Sequence, residues 1–470
     1  MALKPVVFIP GYPATELWYA PEKWRIFPPS LSDLGNAVRK QRLIDLLCET
    51  ETAPGSVVPG EPIREVLGIA KQAGSLYDIL QGKFGYDTAE GSTNFAHVGW
   101  DWRKGVDDPA TAASVSGAIE RLSDANGGAG VVVIAHSTGG LVYRSVLESR
   151  PNLAGRIDQV LAFGVPWAGT LEALHAIAVG DAEGILFWRI TADEGRRIAS
   201  HTQAAWDLVP PDPARTDMRD ADGTPLNLVV RDGGQASALG DTSWIPAGDR
   251  AESLPFAAAA DARLGLRSAE ISLPGGVTAP PVTNMVGFGA DTLAQCDIHD
   301  DGSLAFSRSP AKLGDGTVPL VSASWLRGEG VRTLFLPIGV YPIAGVPFVH
   351  ARIWDSPPVM QIFSEVLRNR PRSEFICAAA DADDAIDPDR DVRIRICAAA
   401  ADGSPLPQCV ATLKPMNGRI RIGFNASAIG AAVVQRVGLS PNIAHDLYRF
   451  EIDVRWSGGK STVPVLIHTS

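Results

Sequence analysis

Val131-Val132-Val133-Ile134-Ala135-His136-Ser137-Thr138-Gly139-Gly140 is the stretch whose reading decides the fold. Four apolar, mostly β-branched residues in a row describe a strand buried on both faces, since a half-exposed strand would alternate. A small–X–Ser–X–Gly turn follows, and then Leu141, Val142, Ser145 and Val146 recur at helical spacing. A strand that bends sharply into a helix lifts the side chain at its apex above the sheet edge. Here the apex is Ser137, with Ala135 and Gly139 small where strand and helix backbones nearly touch. The expectation is an α/β architecture with Ser137 as candidate nucleophile.

Working outward, residues from Pro5 to about Asn369 alternate buried strands, Gly/Pro turns and helical patterns, as a mostly parallel sheet requires. Strands are expected at Val6–Ile9, Val131–Ile134, Gln159–Phe163 and Thr333–Leu336. One helix is predicted between Ala112 and Leu122. Another is predicted from Pro357 to Leu367, capped by Asp355 or Ser356, with Val359, Ile362, Phe363, Val366 and Leu367 facing inward. Residues 170–282 break the sheet rhythm with helical patches and Pro/Gly/Asp-rich loops and are read as an inserted cap; residues 17–95 add to it. Beyond Arg370-Pro371-Arg372 strict alternation takes over, in Val392–Ile396, Arg419–Ile422 and Tyr448–Trp456, with Val463–Ile467 after a glycine turn. That pattern predicts a C-terminal antiparallel β-sandwich over residues 371–470, beside a first domain of residues 1–370.

The 470 residues are enough for a large core, and 45% hydrophobic with 20% charged residues is the balance of a globular protein. A net charge of −11, spread along the chain, argues against a nucleic-acid partner and against electrostatic docking on anionic lipid. No apolar run reaches the ~18 residues that span a bilayer. The N-terminal apolar stretch of four residues is a strand rather than a secretory leader, so cytoplasmic location is the default expectation. Cys48, Cys296, Cys377, Cys397 and Cys409 form no zinc spacing, and reduced thiols are expected, with a bridge among the last three as the alternative. The acidic run Asp381, Asp383, Asp384, Asp387, Asp389 and Asp391 lacks the glycine and final glutamate of an EF-hand and is read as a solvated loop. No metal and no cofactor are expected.

A serine hydroxyl needs a base, an acid to orient the base, and donors for the oxyanion. On this kind of turn the partners follow in the order Ser, acid, His. Asp315 is the best acid, flanked by Gly314 and Gly316 so that the backbone can turn sharply after a strand. His350 follows it by 35 residues, just ahead of the Pro357 helix, where a terminal catalytic loop belongs. His97 and His175 precede the acid, His201 lies in the cap, His299 in an acidic loop, and His445 and His468 in the C-terminal unit. His136 is expected to point away from the pocket. The first strand runs into Pro10-Gly11-Tyr12-Pro13-Ala14, so the oxyanion donors are expected to be the amides of Tyr12 and Thr138.

Taken in order, Pro5–Gly11, Gly99-Trp100-Asp101-Trp102-Arg103, Ala135–Gly140, Gly164-Val165-Pro166-Trp167-Ala168-Gly169-Thr170, Val286-Gly287-Phe288-Gly289, Gly314–Val318 and His350 resemble the lecithin:cholesterol acyltransferase group of α/β-hydrolases. The resemblance covers about residues 5–370. It implies an α/β-hydrolase sheet with an inserted cap, the triad Ser137, Asp315 and His350, and Tyr12 after the oxyanion-loop glycine. The chain departs from the group at Trp100, usually a tyrosine, and has no cysteine-closed lid loop. The C-terminal sandwich is not part of the group's core.

The function expected is that of a serine hydrolase or acyltransferase cleaving carboxylic esters of lipid-like substrates. The alternatives are a small-ester or amide hydrolase, and a non-catalytic binding protein on a hydrolase scaffold. Trp18 and Trp167 are candidate substrate contacts, and Trp18, Tyr19, Trp24 and Ile185-Leu186-Phe187-Trp188 could build an acyl tunnel or simply the core of the cap. Expected partners are a lipid or ester substrate, transiently a membrane surface, and a protein partner for the C-terminal unit.

Overall fold

The computed structural model describes residues 3–48, 56–66, 70–71, 73–180, 190–212, 228–231, 234–240, 242–246, 249–288, 290–308, 314–337, 350–355 and 357–368. Beyond these it describes the backbone of strands 379–381, 392–397, 409–415, 422–426, 433–437, 447–456 and 459–468.

Six strands form the central sheet: β1 (Val6–Ile9), β2 (Phe95–His97), β3 (Val131–His136), β4 (Ile157–Phe163), β5 (Val282–Phe288) and β6 (Val331–Pro337). Their order is β2-β1-β3-β4-β5-β6, and every pairing is parallel. Residues 131–135 are fully buried because both sheet faces are covered. Val7, Ile9, Val131, Val133, Ala135, Val160 and Ala162 fall into one core cluster. Val6, Phe8, Val132, Ile134, Leu161 and Phe163 fall into the other. The two-residue period of a strand divides the run between two cores.

Helix α1 (Pro109–Ala125) starts on the side-chain cap of Asp108, which accepts from the Thr111 amide, with proline at its first position. It sends Val115, Ile119 and Leu122 to the first core, as does helix α2 (Gly139–Ser149) with Leu141, Val142 and Val146. Helix α3 (Pro357–Leu367) covers the opposite face with Val359, Ile362, Phe363, Val366 and Leu367, the five residues the periodicity singled out. The α/β sheet with helices on both faces is therefore as expected. Strand order reverses between β1 and β3, so the loops leaving their C-terminal ends diverge and open a crevice there.

A second, four-stranded sheet pairs Val229–Arg231 with Gly234–Gln235 and, in parallel, with Leu293–Ile298, which pairs in turn with Leu304–Arg308. Its last two strands follow β5. A hairpin has the same local pattern whether it extends the central sheet or joins a second one. On the N-terminal side Trp24–Phe27, Thr15–Tyr19 and Val57–Pro62 make a small antiparallel sheet.

C-terminal to α3 two antiparallel sheets occur. One joins Ala379–Asp381, Val392–Cys397 and Val433–Val437; the other joins Ile422–Ala426, Cys409–Pro415, Leu447–Trp456 and Gly459–His468. Of the alternation expected at 419–422, Ile422 begins a strand and residues 419–421 lie outside the described residues. Of the acidic run, Asp381 ends a strand and the other five residues lie outside the described residues, as do the side chains of Cys377, Cys397 and Cys409. Cys48 and Cys296 are buried thiols, and burial pushes the Cys296 thiol up to about 12. Among the described residues no helix is long and apolar enough to cross a membrane.

Candidate active site

Ser137 leaves the end of β3 with φ +52°, the left-handed region that an L residue enters at a cost of roughly 1–2 kcal/mol. Its amide donates to Phe163 O at 2.9 Å, and its carbonyl accepts from Gly140 N at 2.9 Å, so the strained turn is held from both sides. The loop leaving β1 lies directly against it. A Cβ placed on Gly11 would come within 2.6 Å of Ser137 Cβ and 3.2 Å of its Oγ. Only glycine lets Tyr12 follow so close to the nucleophile.

Asp315 is fully buried in a tight loop closed by the Gly314–Pro319 bridge. Its Oδ1 accepts from Thr317 N at 3.0 Å and Val318 N at 2.7 Å. Its Oδ2 accepts from His350 Nδ1 at 2.5 Å. A carboxylate so placed keeps the proton on Nδ1 and leaves the lone pair on Nε2. His350 Nε2 is buried and has no hydrogen-bond partner among the described residues, the Ser137 hydroxyl included, a spacing common before substrate draws such groups together. The acid–base pair sits over the end of β4: a Cβ on Gly164 would lie 2.8 Å from Asp315 Oδ2 and 3.1 Å from His350 Nδ1. The residue before it, Phe163, is the one whose carbonyl holds the Ser137 amide. All three candidate residues thus meet at the C-terminal edge of β3 and β4.

Two sequence blocks turn out to be supports. Trp100, fully buried, donates its indole N–H to Pro10 O at 2.9 Å, and Trp102 donates to Thr15 O at 3.2 Å while its ring meets Tyr12 edge-on at 5.4 Å. The loop carrying Tyr12 is therefore pinned at both ends. On either side of Trp102, Asp101 and Arg103 form a buried ion pair at 2.7 Å, with Arg103 also donating to Leu46 O. Gly164–Thr170 braces the acid loop: the Thr170 hydroxyl donates to Thr317 O, and the Ser322 hydroxyl bridges Ala168 N and Gly169 O. Thr138 is the N-cap of α2, where helix amides have no intrahelical acceptor and can face an anion.

His136 packs against the base. Its ring lies 4.9 Å from the His350 ring and 4.8 Å from that of Trp354, and its Nε2 is 3.1 Å from His350 O. Burial, then the neighbouring His350, push the imidazole down to about 3, and the hydrogen bond to His350 O offsets only part of this. His136 is thus neutral, and Nε2–H is the donor. From the ordinary value of 6.5 down to about 3, the unfolded chain binds a proton at residue 136 that the folded chain refuses. This contribution to stability is complete above pH 6.5 and falls by about 1.4 kcal/mol per unit of acidification below it. Urea unfolding from neutral to mildly acidic pH should therefore be steeper in pH for the wild type than for H136Q; parallel curves would refute the assignment.

The expectation for Trp167 is corrected. It is fully buried and donates its indole N–H to Asn284 Oδ1 at 3.1 Å, so it packs in the core rather than facing substrate. Trp18 is half-buried on the small N-terminal sheet and donates to Glu16 at 3.0 Å. Tyr19 and Trp24 stand near it beside the Arg42 guanidinium, and residues 185–188 lie outside the described residues. His201 pairs with Glu252, and His175 meets the Phe306 ring edge-on. Among the described residues no group of three or more His, Cys, Asp or Glu is disposed to hold a metal.

The family model described as lecithin:cholesterol acyltransferase matches residues 69–224, a stretch that holds Trp100, Ser137 and Gly164 and ends before Asp315 and His350. No curated protein matches the chain. Solved structures similar to it include a Tle4-Tli4 complex, at 15% identity and TM-score 0.48 over 76% of this chain and 96% of that one. The Bacillus licheniformis lipase BlEst2 in propeptide form is similar at 11% identity and TM-score 0.31, over 99% and 94% of the two chains. Phospholipase PlaB from Legionella pneumophila is similar at 11% identity and TM-score 0.25, over 99% and 89%.

Proposed function

We propose that this chain, a lecithin:cholesterol acyltransferase-like α/β-hydrolase, cleaves carboxylic esters of lipid-like substrates through an acyl-enzyme on Ser137. The observation that carries the reading is the 2.5 Å contact of His350 Nδ1 with Asp315, which leaves Nε2 buried and unsatisfied above the serine turn. As Ser137 Oγ attacks the ester carbonyl, Nε2 takes its proton, and the imidazolium is stabilised by Asp315. The oxyanion is met by the amides of Tyr12 and Thr138, donors whose loss singly costs on the order of 10²–10³ in rate. His350 then returns the proton to the leaving alcohol. Water, or a second alcohol, repeats the attack on the acyl-enzyme and frees the acid or a new ester.

The two C-terminal antiparallel sheets are assigned to an accessory β-sandwich of residues 371–470, beside a catalytic domain of residues 1–370, and to the binding of a protein partner. A fluorophosphonate probe is expected to label the folded protein. In a chain-length series of p-nitrophenyl esters, activity should peak at medium or long acyl chains. A maximum at acetate with none beyond hexanoate would replace the lipid-like substrate by a small ester. A folded protein that neither labels nor turns over any ester would be a binding protein on a hydrolase scaffold.

A further inference from the structure

We infer that His136 is a positioning residue for the base: its Nε2–H holds the carbonyl of His350, and its ring flanks the imidazole. The inference rests on reading Ser137, Asp315 and His350 as a triad. In that triad, among the described residues, the His350 side chain has a single polar tether, Nδ1 to Asp315, because Nε2 must stay open toward the serine. One tether fixes neither the depth nor the tilt of the ring. A second restraint has to act on the backbone, and the His136 donor supplies it.

The arrangement follows from the strand. Ala135 belongs to the first core, so the two-residue period sends His136 to the opposite face with Val132 and Ile134. That face is covered by the segment that carries the base: residues 350–355 lead into α3, and Trp354 packs on Phe8, Phe163 and His136. Trp354 Nε1 donates to Ser75 at 2.7 Å, which ties the far end of the segment down. At its near end the His136 contact joins residues 214 apart in the chain. His136 is also the residue covalently before the nucleophile. Through this one side chain the serine turn and the base share a common support, which sets their separation directly rather than through the whole sheet.

The residue type suits the task. A lysine or arginine could donate to the same carbonyl, but its charge would stand beside the imidazole and oppose imidazolium formation as the serine proton moves. A buried neutral imidazole donates without that penalty.

The experiment compares H136L, which removes the donor, with H136Q, whose amide nitrogen reaches about where Nε2 stood, and H136N, whose amide falls short. Each is measured for fluorophosphonate labelling rate, kcat and KM on one ester, and melting temperature. Loss of the restraint should lower kcat and labelling about 10²-fold with KM within about threefold, since misplacement of the order of an ångström has that cost. H136Q should come within about tenfold of wild type, while H136N resembles H136L. If H136L fails to fold, the Gln–Asn difference decides alone. Leu, Asn and Gln variants that lose activity equally, in step with melting temperature, would reduce His136 to a packing residue. Variants that label at the wild-type rate would refute the inference and leave the triad standing. A wild type that does not label at all would remove the triad itself.

Discussion

Ser137→Ala is expected to abolish fluorophosphonate labelling and to lower ester turnover about a million-fold, the scale on which a serine hydrolase loses its nucleophile. Among the described residues no other side chain at the site is offered as the nucleophile of the proposed acyl-enzyme. Asp315 is occupied by two amides and by His350, and the Thr138 hydroxyl is buried and begins a helix. What remains is catalysis by the oxyanion donors and by binding alone, on the order of 10³–10⁴ over water. The fold should be indifferent to the change. Alanine meets the +52° φ at residue 137 no better and no worse than serine, and the stitching bonds to Phe163 and from Gly140 use backbone atoms only. Thermal melts within about two degrees of wild type, together with mass spectrometry of the probe adduct, check both halves. A labelled, active S137A protein would place the nucleophile elsewhere.

Asp315→Asn is the second large effect, about 10⁴-fold in kcat, and it follows from the hydrogen-bond directions. Oδ1 accepts from two backbone amides, and Oδ2 accepts from His350. An asparagine has one acceptor oxygen, and the two amides of Thr317 and Val318 claim it. The NH₂ group then faces Nδ1, which must become the acceptor, so the ring proton moves to Nε2. A protonated Nε2 cannot take the serine proton. The side chain keeps its shape, so the folded protein should melt cooperatively and bind ester with a similar KM. Steady-state kinetics on a p-nitrophenyl ester read this directly. Retention of activity within tenfold of wild type would mean that Asp315 is a structural loop acid and that another group orients the base.

Most of the scaffold was legible because it rests on local patterns. The unbroken apolar run at 131–134 announced a strand covered on both faces, and its residues do alternate between two cores. The five inward residues of Pro357–Leu367 keep their helical spacing and are all buried. The glycines around Asp315 announced a turn that could aim a carboxylate, and that turn is where the acid sits. The chain after β5 was less legible: Leu293–Ile298 and Leu304–Arg308 have the alternation of any hairpin, and only the parallel pairing of Leu293–Ile298 with Val229–Arg231 puts them in a second sheet. Trp167 was misread because a tryptophan near a candidate site has the same sequence signature whether it meets substrate or, as here, Asn284 in the core.

The roles of Trp100 and His136 lay beyond any reading of the chain. Their partners, Pro10 and the carbonyl of His350, are 90 and 214 positions away. By itself the sequence determined the elements and the chemistry they could carry: a serine on a strand-to-helix bend, an acid on a glycine turn, a histidine before the last helix. Those follow from short-range physics, from the period of a strand or helix and the backbone freedom of glycine. Tertiary structure alone decided that His350 lies against Asp315 with Nε2 left open, that two indoles hold the loop of Tyr12, and that His136 backs the base. Each is a contact across the sheet edge, made only when strand order brings the ends of β1, β3 and β4 together and closes distances to which no local periodicity corresponds.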